Sequence, residues 1–366
     1  MMLQADTNVG SAGSWQTIGN TAAITLLKGA IDQDRVSHAY LFTGPNRVGK
    51  RTLAVDFARA LNCNAKDVTA SGWADLQPDV PCGQCSACDR IARSNYADVQ
   101  IITSATQTSK DADAKAAQRR VMIGIDLIKD LQSDAMLEPY EGRAKVFIID
   151  EANRMSPDAS NALLKTLEEP PNNVHIVLTS PSADLLPETI TSRCHLVRLR
   201  PVPSEVTEEA LTTRFNVASD EARDLAKMSM GAPGWAIAAL NDPSLVDARR
   251  QSASRIIDVI NFDLPARFDY SFEMSREFRR DRNLALDEVE RWLEVVRDIA
   301  MIQNGLNQHV TYDDRIQELS ELANALTLDE VAAAAGTVRR TRDALMVNAL
   351  PQLAFDAMML EVPSVA

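Results

Sequence analysis

The stretch HAYLFTGPNRVGKRTLAVDFARAL, residues 38–61, decides the fold. An apolar run is followed by a glycine-rich segment and then by apolar residues at helical spacing. A strand, a loop and a helix in this order place backbone N–H groups where they can bind phosphate oxygens. The stretch therefore predicts a P-loop of the pattern GxxxxGK. Its candidate nucleotide-binding residues are Gly44, Pro45, Asn46, Arg47, Val48, Gly49, Lys50, Arg51 and Thr52.

The position after Lys50 departs from the usual P-loop pattern. It normally carries a Ser or Thr whose hydroxyl binds Mg²⁺, and here it is Arg51, with Thr52 one place too late. We therefore expect that phosphate binding can persist while hydrolysis fails. The alternative is a tight turn between strand and helix with a solvent-facing lysine.

The residues around this stretch, up to about residue 200, alternate short apolar runs with longer amphipathic ones. This pattern is typical of an α/β fold with a parallel sheet and crossover helices. Strands are predicted at residues 39–42, 99–102, 145–149, 174–178 and 195–199, and helices at 50–61, 125–136 and 157–168. The polar stretch 103–120 is predicted to be an exposed, mobile loop.

A predicted strand, VFII, ends in the two carboxylates Asp150 and Glu151. In P-loop proteins such a pair serves the metal ion and the attacking water. A chance Asp-Glu pair at a strand end is common. Its position about a hundred residues after the P-loop favours a Walker B element.

Four of the five cysteines lie close together in the sequence, at Cys63, Cys82, Cys85 and Cys88. Gaps of two residues let successive thiolates converge on one metal ion, and four thiolates are typical of a closed structural Zn²⁺ site. The alternative is a set of reduced thiols with Cys63 in the core. The fifth, Cys194, adjoins a strand and is predicted to be a buried thiol.

Strand patterns end beyond residue 201, and the remaining apolar spacing is helical. The predicted domains are a P-loop domain at 1–200 with the cysteine segment at about 63–88, a small helical domain at 201–243, and an all-helical domain at 244–366.

The composition excludes several classes of protein. With 366 residues, 45% apolar and 24% charged, the chain is neither disordered nor fibrous. A net charge of −13 disfavours a surface that binds nucleic acid without partners. The sequence has no apolar run of about 18 residues and no signal-peptide pattern, so we expect a cytoplasmic protein with no membrane partner.

Taken together, the motifs resemble a known family. The order HAYLFTGPNRVGK, four cysteines, VFIIDEANRM, NALLKTLEEPP, HIVLTS and LLPETITSRC is similar to the AAA+ module of the bacterial clamp loaders of DNA polymerase III. The resemblance implies a RecA-like AAA+ domain with a zinc insert, a small helical lid and an all-helical collar. It also implies a five-subunit ring with motor (gamma/tau) and delta subunits, which loads a sliding clamp onto primed DNA.

The resemblance implies roles for single residues as well. It assigns Lys50 and its loop to Walker A, Asp150 and Glu151 to Walker B, and Thr179 or Ser180 to sensor 1. It assigns the four cysteines to the family's zinc module. Arg193, in the SRC motif, corresponds to an arginine finger presented to a neighbouring subunit's ATP. Read without the family, Arg193 is an ordinary surface charge.

Departures from the family's motor subunit point to a subunit that lends Arg193 without running its own catalytic cycle. Arg51 replaces the metal-binding hydroxyl, and Trp235 lies near the start of the helix where motor relatives place a sensor 2 arginine. The intact pair Asp150 and Glu151 instead favours a functional ATP site. Binding of ATP with Mg²⁺, with slow hydrolysis, therefore stays an alternative. Two alternatives remain: a motor-type clamp-loader ATPase, and an unrelated P-loop enzyme such as a nucleotide kinase with a zinc lid.

Overall fold

A computed structural model describes residues 15–64, 80–106, 122–346 and 349–365 of the chain. The chain divides into two compact units, Met1–Ala236 and Ile237–Ala366. Among the described residues, none of the helices combines the length and the apolar character that a membrane span requires.

The first unit is built on a parallel sheet. In the described residues its strands follow the order β2-β3-β4-β1-β5, and each neighbouring pair is parallel. All strands therefore end at one edge of the sheet, here called the carboxyl edge, and begin at the other, the amino edge. The strands are β1 (Ala39–Thr43), β2 (Val99–Ile102), β3 (Lys145–Ile149), β4 (Val174–Ser180) and β5 (His195–Arg198).

Helices cover both faces of the sheet, because successive side chains of a strand point to opposite faces. Tyr40 and Phe42 of β1 pack in a core cluster with residues of the first two helices. Ala39 and Leu41 pack in a second cluster with residues of the fourth and fifth helices. The helices before residue 200 are α1 (Thr21–Asp32), α2 (Lys50–Leu61), α3 (Ser86–Ala92), α4 (Ile125–Ala135), α5 (Pro157–Glu168) and α6 (Glu188–Thr191).

The predicted α/β pattern is confirmed, with small shifts at element ends. Strand β4 continues to Ser180 because its register pairs that residue with Thr43 at the end of β1. Helix α5 begins as expected, with Pro157 in its first turn and the Ser156 hydroxyl accepting a hydrogen bond from the Ala159 N–H at 3.1 Å. Of the predicted loop at 103–120, the part from residue 107 onward lies outside the described residues.

The residues after 200 are helical, as predicted. They form α7 (Ser204–Phe215), α8 (Ser219–Met228), α9 (Pro233–Asn241), α10 (Ser244–Ile260), α11 (Leu264–Arg280), α12 (Arg282–Gln303), α13 (Ile316–Ala325), α14 (Leu328–Met346) and α15 (Pro351–Glu361). The second unit has its own core, in which Trp292, Tyr312 and Phe355 are fully buried. The domain boundaries at 200 and 243 stay predictions.

Candidate functional site

The glycine-rich loop leaves β1 at the carboxyl edge and leads directly into α2. Gly44 has a φ of 150°, and a Cβ atom at this position would lie 2.5 Å from the Leu199 carbonyl oxygen. Only glycine fits such a close approach of two backbone segments. Gly49 caps α2 with a φ of 105°, which also favours glycine. The predicted strand, loop and helix are therefore confirmed.

Lys50 folds back over this loop. Its Nζ donates hydrogen bonds to the carbonyl oxygens of Gly44 at 2.6 Å and Pro45 at 2.7 Å. Only 9% of the residue is exposed, so the alternative of a solvent-facing lysine is wrong. Burial lowers the pKa of Lys50 to about 8, and the charges of Asp150 and Glu151 partly oppose that effect.

Asp150 and Thr179 meet at the carboxyl edge, where β3 and β4 run side by side. The Thr179 hydroxyl donates to Asp150 Oδ1 at 2.7 Å and accepts from the Glu151 N–H at 3.0 Å. The Ser180 hydroxyl donates instead to the Ser182 carbonyl at 2.7 Å. Of the two sensor 1 candidates, Thr179 is therefore the one that contacts the Asp150 carboxylate.

The two carboxylates that follow β3, Asp150 and Glu151, have different surroundings. Glu151 has a φ of 56° and forms an ion pair with Arg154, with 3.1 Å between Oε2 and Nε. Asp150 instead faces Arg51, whose Nη1 lies 3.7 Å from its Oδ2. The Arg51 side chain is 54% exposed and that of Asp150 only 19%. Arg51 therefore places a cation against the more buried of the two carboxylates.

These residues do not fit a Mg²⁺ ion bound in the usual P-loop manner. The ion requires near-octahedral oxygen ligands, normally including the hydroxyl after the lysine. Here that position has a guanidinium group directed at Asp150, and Thr52 is exposed one residue further along α2.

Helix α9 begins against the P-loop. The Gly234 N–H donates to the Arg47 carbonyl oxygen at 3.0 Å, and a Cβ atom on Gly234 would lie 2.9 Å from the same oxygen. Trp235, the next residue, lies near the start of the helix as predicted, and it is buried. Gly234 was not among the predicted site residues, although a glycine at a helix start is a usable signal of close backbone approach.

The four clustered cysteines converge although residues 65–79 between them lie outside the described residues. Their four Sγ atoms all lie within 4.8 Å of one another. Tetrahedral coordination with Zn–S bonds of about 2.3 Å separates sulfur atoms by about 3.8 Å, so the group fits one metal ion. Cys63 follows α2, Cys85 caps the start of α3, and Cys82 and Cys88 complete the set.

Backbone N–H groups point at these sulfur atoms. Cys82 N donates to Cys63 Sγ at 3.4 Å, Cys85 N to Cys82 Sγ at 3.3 Å, and Cys88 N to Cys85 Sγ at 3.5 Å. The neighbouring Cys63 sulfur and burial raise the pKa of the Cys88 thiol. Four thiolates therefore require a cation to hold them together, and the cluster can bind a metal ion.

Arg193 lies at the amino edge, because it precedes β5 and His195 of β5 pairs with Tyr40 near the start of β1. Its Nη2 forms an ion pair with Glu168 at 2.7 Å, and its Nη1 donates to the Thr189 carbonyl at 2.8 Å. Glu168 was not predicted to take part. Cys194 is half-buried rather than buried, and burial raises its pKa to about 12.

Residues 19–203, about half of the chain, match the family model described as DNA polymerase III, delta subunit. The chain belongs to the DNA polymerase III clamp-loader subunit family. Together with the sheet order and the P-loop, this confirms the RecA-like AAA+ fold.

Relatives include two kinds of DNA polymerase III subunit. The chain is 31% identical over 245 residues to subunit tau/gamma of Haemophilus influenzae, covering 66% of this chain and 32% of that protein. It is 27% identical over 323 residues to subunit delta' of Bacillus subtilis, covering 87% of this chain and 89% of that protein. The chain thus spans about a third of the length of its tau/gamma relative.

A solved structure related to the gamma subunit, from Thermotoga maritima, is 18% identical, with a TM-score of 0.37 over 92% of this chain and 97% of that one.

Proposed function

We propose that this chain is a delta-prime-type subunit of the DNA polymerase III clamp loader, which donates Arg193 to the ATP site of a neighbouring subunit. Its own P-loop site is proposed to be inactive or slow in hydrolysis. The observation that carries the proposal is the position of Arg193 at the amino edge, whereas Lys50 and Asp150 lie at the carboxyl edge.

The two edges are too far apart for Arg193 to serve its own P-loop. His195 pairs with Tyr40, four residues before Gly44, and a strand rises about 3.3 Å per residue, which gives roughly 13 Å along β1 alone. Arg193 lies two residues further back. A nucleotide stabilised by this guanidinium therefore has to belong to another chain.

The chemistry of phosphoryl transfer explains why such an arginine matters. Negative charge develops on the transferred phosphoryl group, and an arginine supplied in trans can raise the rate by about 10³ to 10⁵. The Arg193 side chain is 36% exposed and its ion-pair partner Glu168 is 50% exposed. Both are thus accessible to an incoming subunit.

The site at the carboxyl edge supports a non-motor role. Arg51 stands where motor subunits have a metal-binding hydroxyl, and buried Trp235 stands where they have a lid arginine. The match to a delta' subunit along nearly the whole of both chains also favours this role. The proposed partners are the gamma/tau motor and delta subunits, the sliding clamp and primed DNA reached through the complex.

We also propose that Cys63, Cys82, Cys85 and Cys88 hold a structural Zn²⁺. All-thiolate sites of this kind favour zinc and leave no position open for catalysis. The bound ion would join the end of α2 to the start of α3, and so would stabilise a segment that follows the P-loop helix.

A motor-type clamp-loader ATPase is the second candidate. It is favoured by the placement of Lys50, Asp150 and Thr179, which keep the arrangement of an ATP site, and by the higher identity to tau/gamma.

The test compares two variants in reconstituted complexes with gamma/tau, delta, clamp and primed DNA. Arg193→Ala should assemble normally and lower the stimulated ATPase rate partially, because motor-to-motor sites keep their own arginines. Lys50→Ala should have a far smaller effect. Arg93→Ala, which removes another exposed ion-paired arginine, is the matched control and should be silent. If Arg193→Ala left the stimulated ATPase rate unchanged while Lys50→Ala abolished it, the chain would be a motor subunit.

A further inference from the structure

We propose that Arg51 takes the place of the magnesium ion at the P-loop, so that this site binds a nucleoside diphosphate or triphosphate without a divalent cation. The inference rests on the proposed function, in which the P-loop site is inactive or slow in hydrolysis. It adds that the loop still binds nucleotide, and in which form the nucleotide binds.

The first step is the position of Arg51. In a P-loop protein the metal ion lies between the residue after the lysine and the Walker B carboxylate. In this chain those two residues are Arg51 and Asp150, and their side chains face each other across 3.7 Å. The guanidinium group thus occupies the space between the two positions that normally hold the ion.

The second step is the state of the Asp150 carboxylate. Its Oδ1 accepts a hydrogen bond from Thr179 at 2.7 Å, and its Oδ2 faces Arg51. Both oxygens are therefore engaged by groups of the chain itself. A Mg²⁺ ion that approached Asp150 would meet the positive charge of Arg51 at short range, and this repulsion disfavours binding of the ion.

The third step is the balance of charge around the loop. Arg47, Lys50 and Arg51 are basic, whereas Asp150 and Glu151 are acidic, and Glu151 already forms an ion pair with Arg154. A magnesium ion normally offsets negative charge on the β- and γ-phosphates. Here Arg51 is 54% exposed and can turn from Asp150 to a phosphate, whose geometry suits a guanidinium group.

The experiment measures binding of ADP to the purified full-length chain by calorimetry, with and without added MgCl₂. Solutions are freed of divalent cations on a chelating resin, because soluble EDTA would also extract the proposed zinc. The wild-type dissociation constant should change by less than about threefold between the two conditions. Arg51→Ser should bind weakly without magnesium and gain at least about tenfold when it is added.

Two further variants make the result specific. Arg51→Lys keeps the charge and should remain insensitive to magnesium, whereas Lys50→Met should lose binding in both conditions. The proposal is wrong if magnesium strengthens wild-type binding by about tenfold or more, if Arg51→Ser behaves like wild type, or if the wild-type chain binds no ADP. None of these outcomes bears on Arg193, whose test depends on a partner's ATP, so the two proposals can fail separately.

Discussion

The guanidinium group of Arg193 lies 2.7 Å from the carboxylate of Glu168. The two residues come from different motifs, SRC and LLKTLEEPP, and meet where α5 ends and β5 begins. Because a carboxylate and a phosphate compete for the same guanidinium group, the isolated chain holds its proposed finger in an internal ion pair. Engagement of a neighbour's nucleotide then requires Arg193 to leave Glu168.

Removal of the Glu168 carboxylate should make it easier for Arg193 to reach the nucleotide of a neighbouring subunit. An exposed ion pair contributes about 0 to 1 kcal/mol, so Glu168→Gln should raise the stimulated ATPase rate of the reconstituted complex by at most about fivefold. Thermal stability should hardly change. Glu169→Gln removes the adjacent exposed carboxylate and serves as the control. A rate that falls in Glu168→Gln alone would mean that Glu168 positions Arg193 productively instead of competing for it.

Gly44 should be irreplaceable in the P-loop. Gly44→Ala would force a Cβ atom to within 2.5 Å of the Leu199 carbonyl at a φ of 150°, and we expect it to destabilise the fold by about 1 to 3 kcal/mol and to abolish ADP binding. Gly29→Ala, within α1, is the matched control, because beyond the backbone of its own helix the added methyl group would meet only Gln33 Nε2, at 4.0 Å. It should stabilise the chain by about 0.5 to 1 kcal/mol in urea unfolding. Equal effects of the two substitutions would contradict the strained-loop argument.

The affinity for ADP should fall as the pH rises past about 8. Burial lowers the pKa of Lys50 to about 8, and only the protonated amine attracts phosphate. Below that pH the lysine is charged, and above it the charge is progressively lost, whereas the phosphates, with a pKa of about 6, stay ionised throughout. Bound phosphate itself favours the charged lysine and shifts the midpoint upward. A pH titration of ADP binding that stays flat between about pH 7 and 10 would contradict this role for Lys50.

The purified protein should contain about one zinc ion per chain. Replacement of Cys82, Cys85 or Cys88 by Ser should release the metal and loosen α3 while the sheet stays folded. Cys194→Ser removes the remaining thiol, outside the cluster, and should keep the metal. Metal analysis of protein prepared without chelator gives the answer, and a content far below one ion per chain in the wild type would disprove the site.

Local patterns in the sequence predicted most of the first unit. The strands and the P-loop follow from apolar runs and glycine spacing, which depend on residues close together in the chain. Contacts between distant residues could not be predicted in this way. Thr179 and Ser180 both end β4, and only the register that pairs Ile149 of β3 with Leu178 of β4 determines which hydroxyl faces Asp150. The same holds for Arg51 with Asp150, since no local pattern links them.

Arg267 should be critical for the stability of the second unit. It is buried in α11, and its guanidinium group donates to the carbonyl oxygens of Ile260 at 3.2 Å, Met359 at 3.1 Å and Val362 at 2.8 Å. These carbonyls lie at the carboxyl ends of α10 and α15, where helices leave backbone groups unpaired. Arg267→Met keeps much of the side-chain volume but removes every donor.

We expect Arg267→Met to lower the free energy of unfolding of the second unit by about 2 to 4 kcal/mol, because several buried carbonyls lose their partner at once. Arg280→Met, at the exposed end of the same helix, is the control and should change stability by less than about 0.5 kcal/mol. Differential scanning calorimetry measures the unfolding of each variant and compares the two. ADP binding at the P-loop should survive in both variants, because that site belongs to the first unit. If the second unit acts as the collar, assembly with the other subunits should weaken only in Arg267→Met. Wild-type stability in Arg267→Met would show that water replaces the guanidinium group without cost.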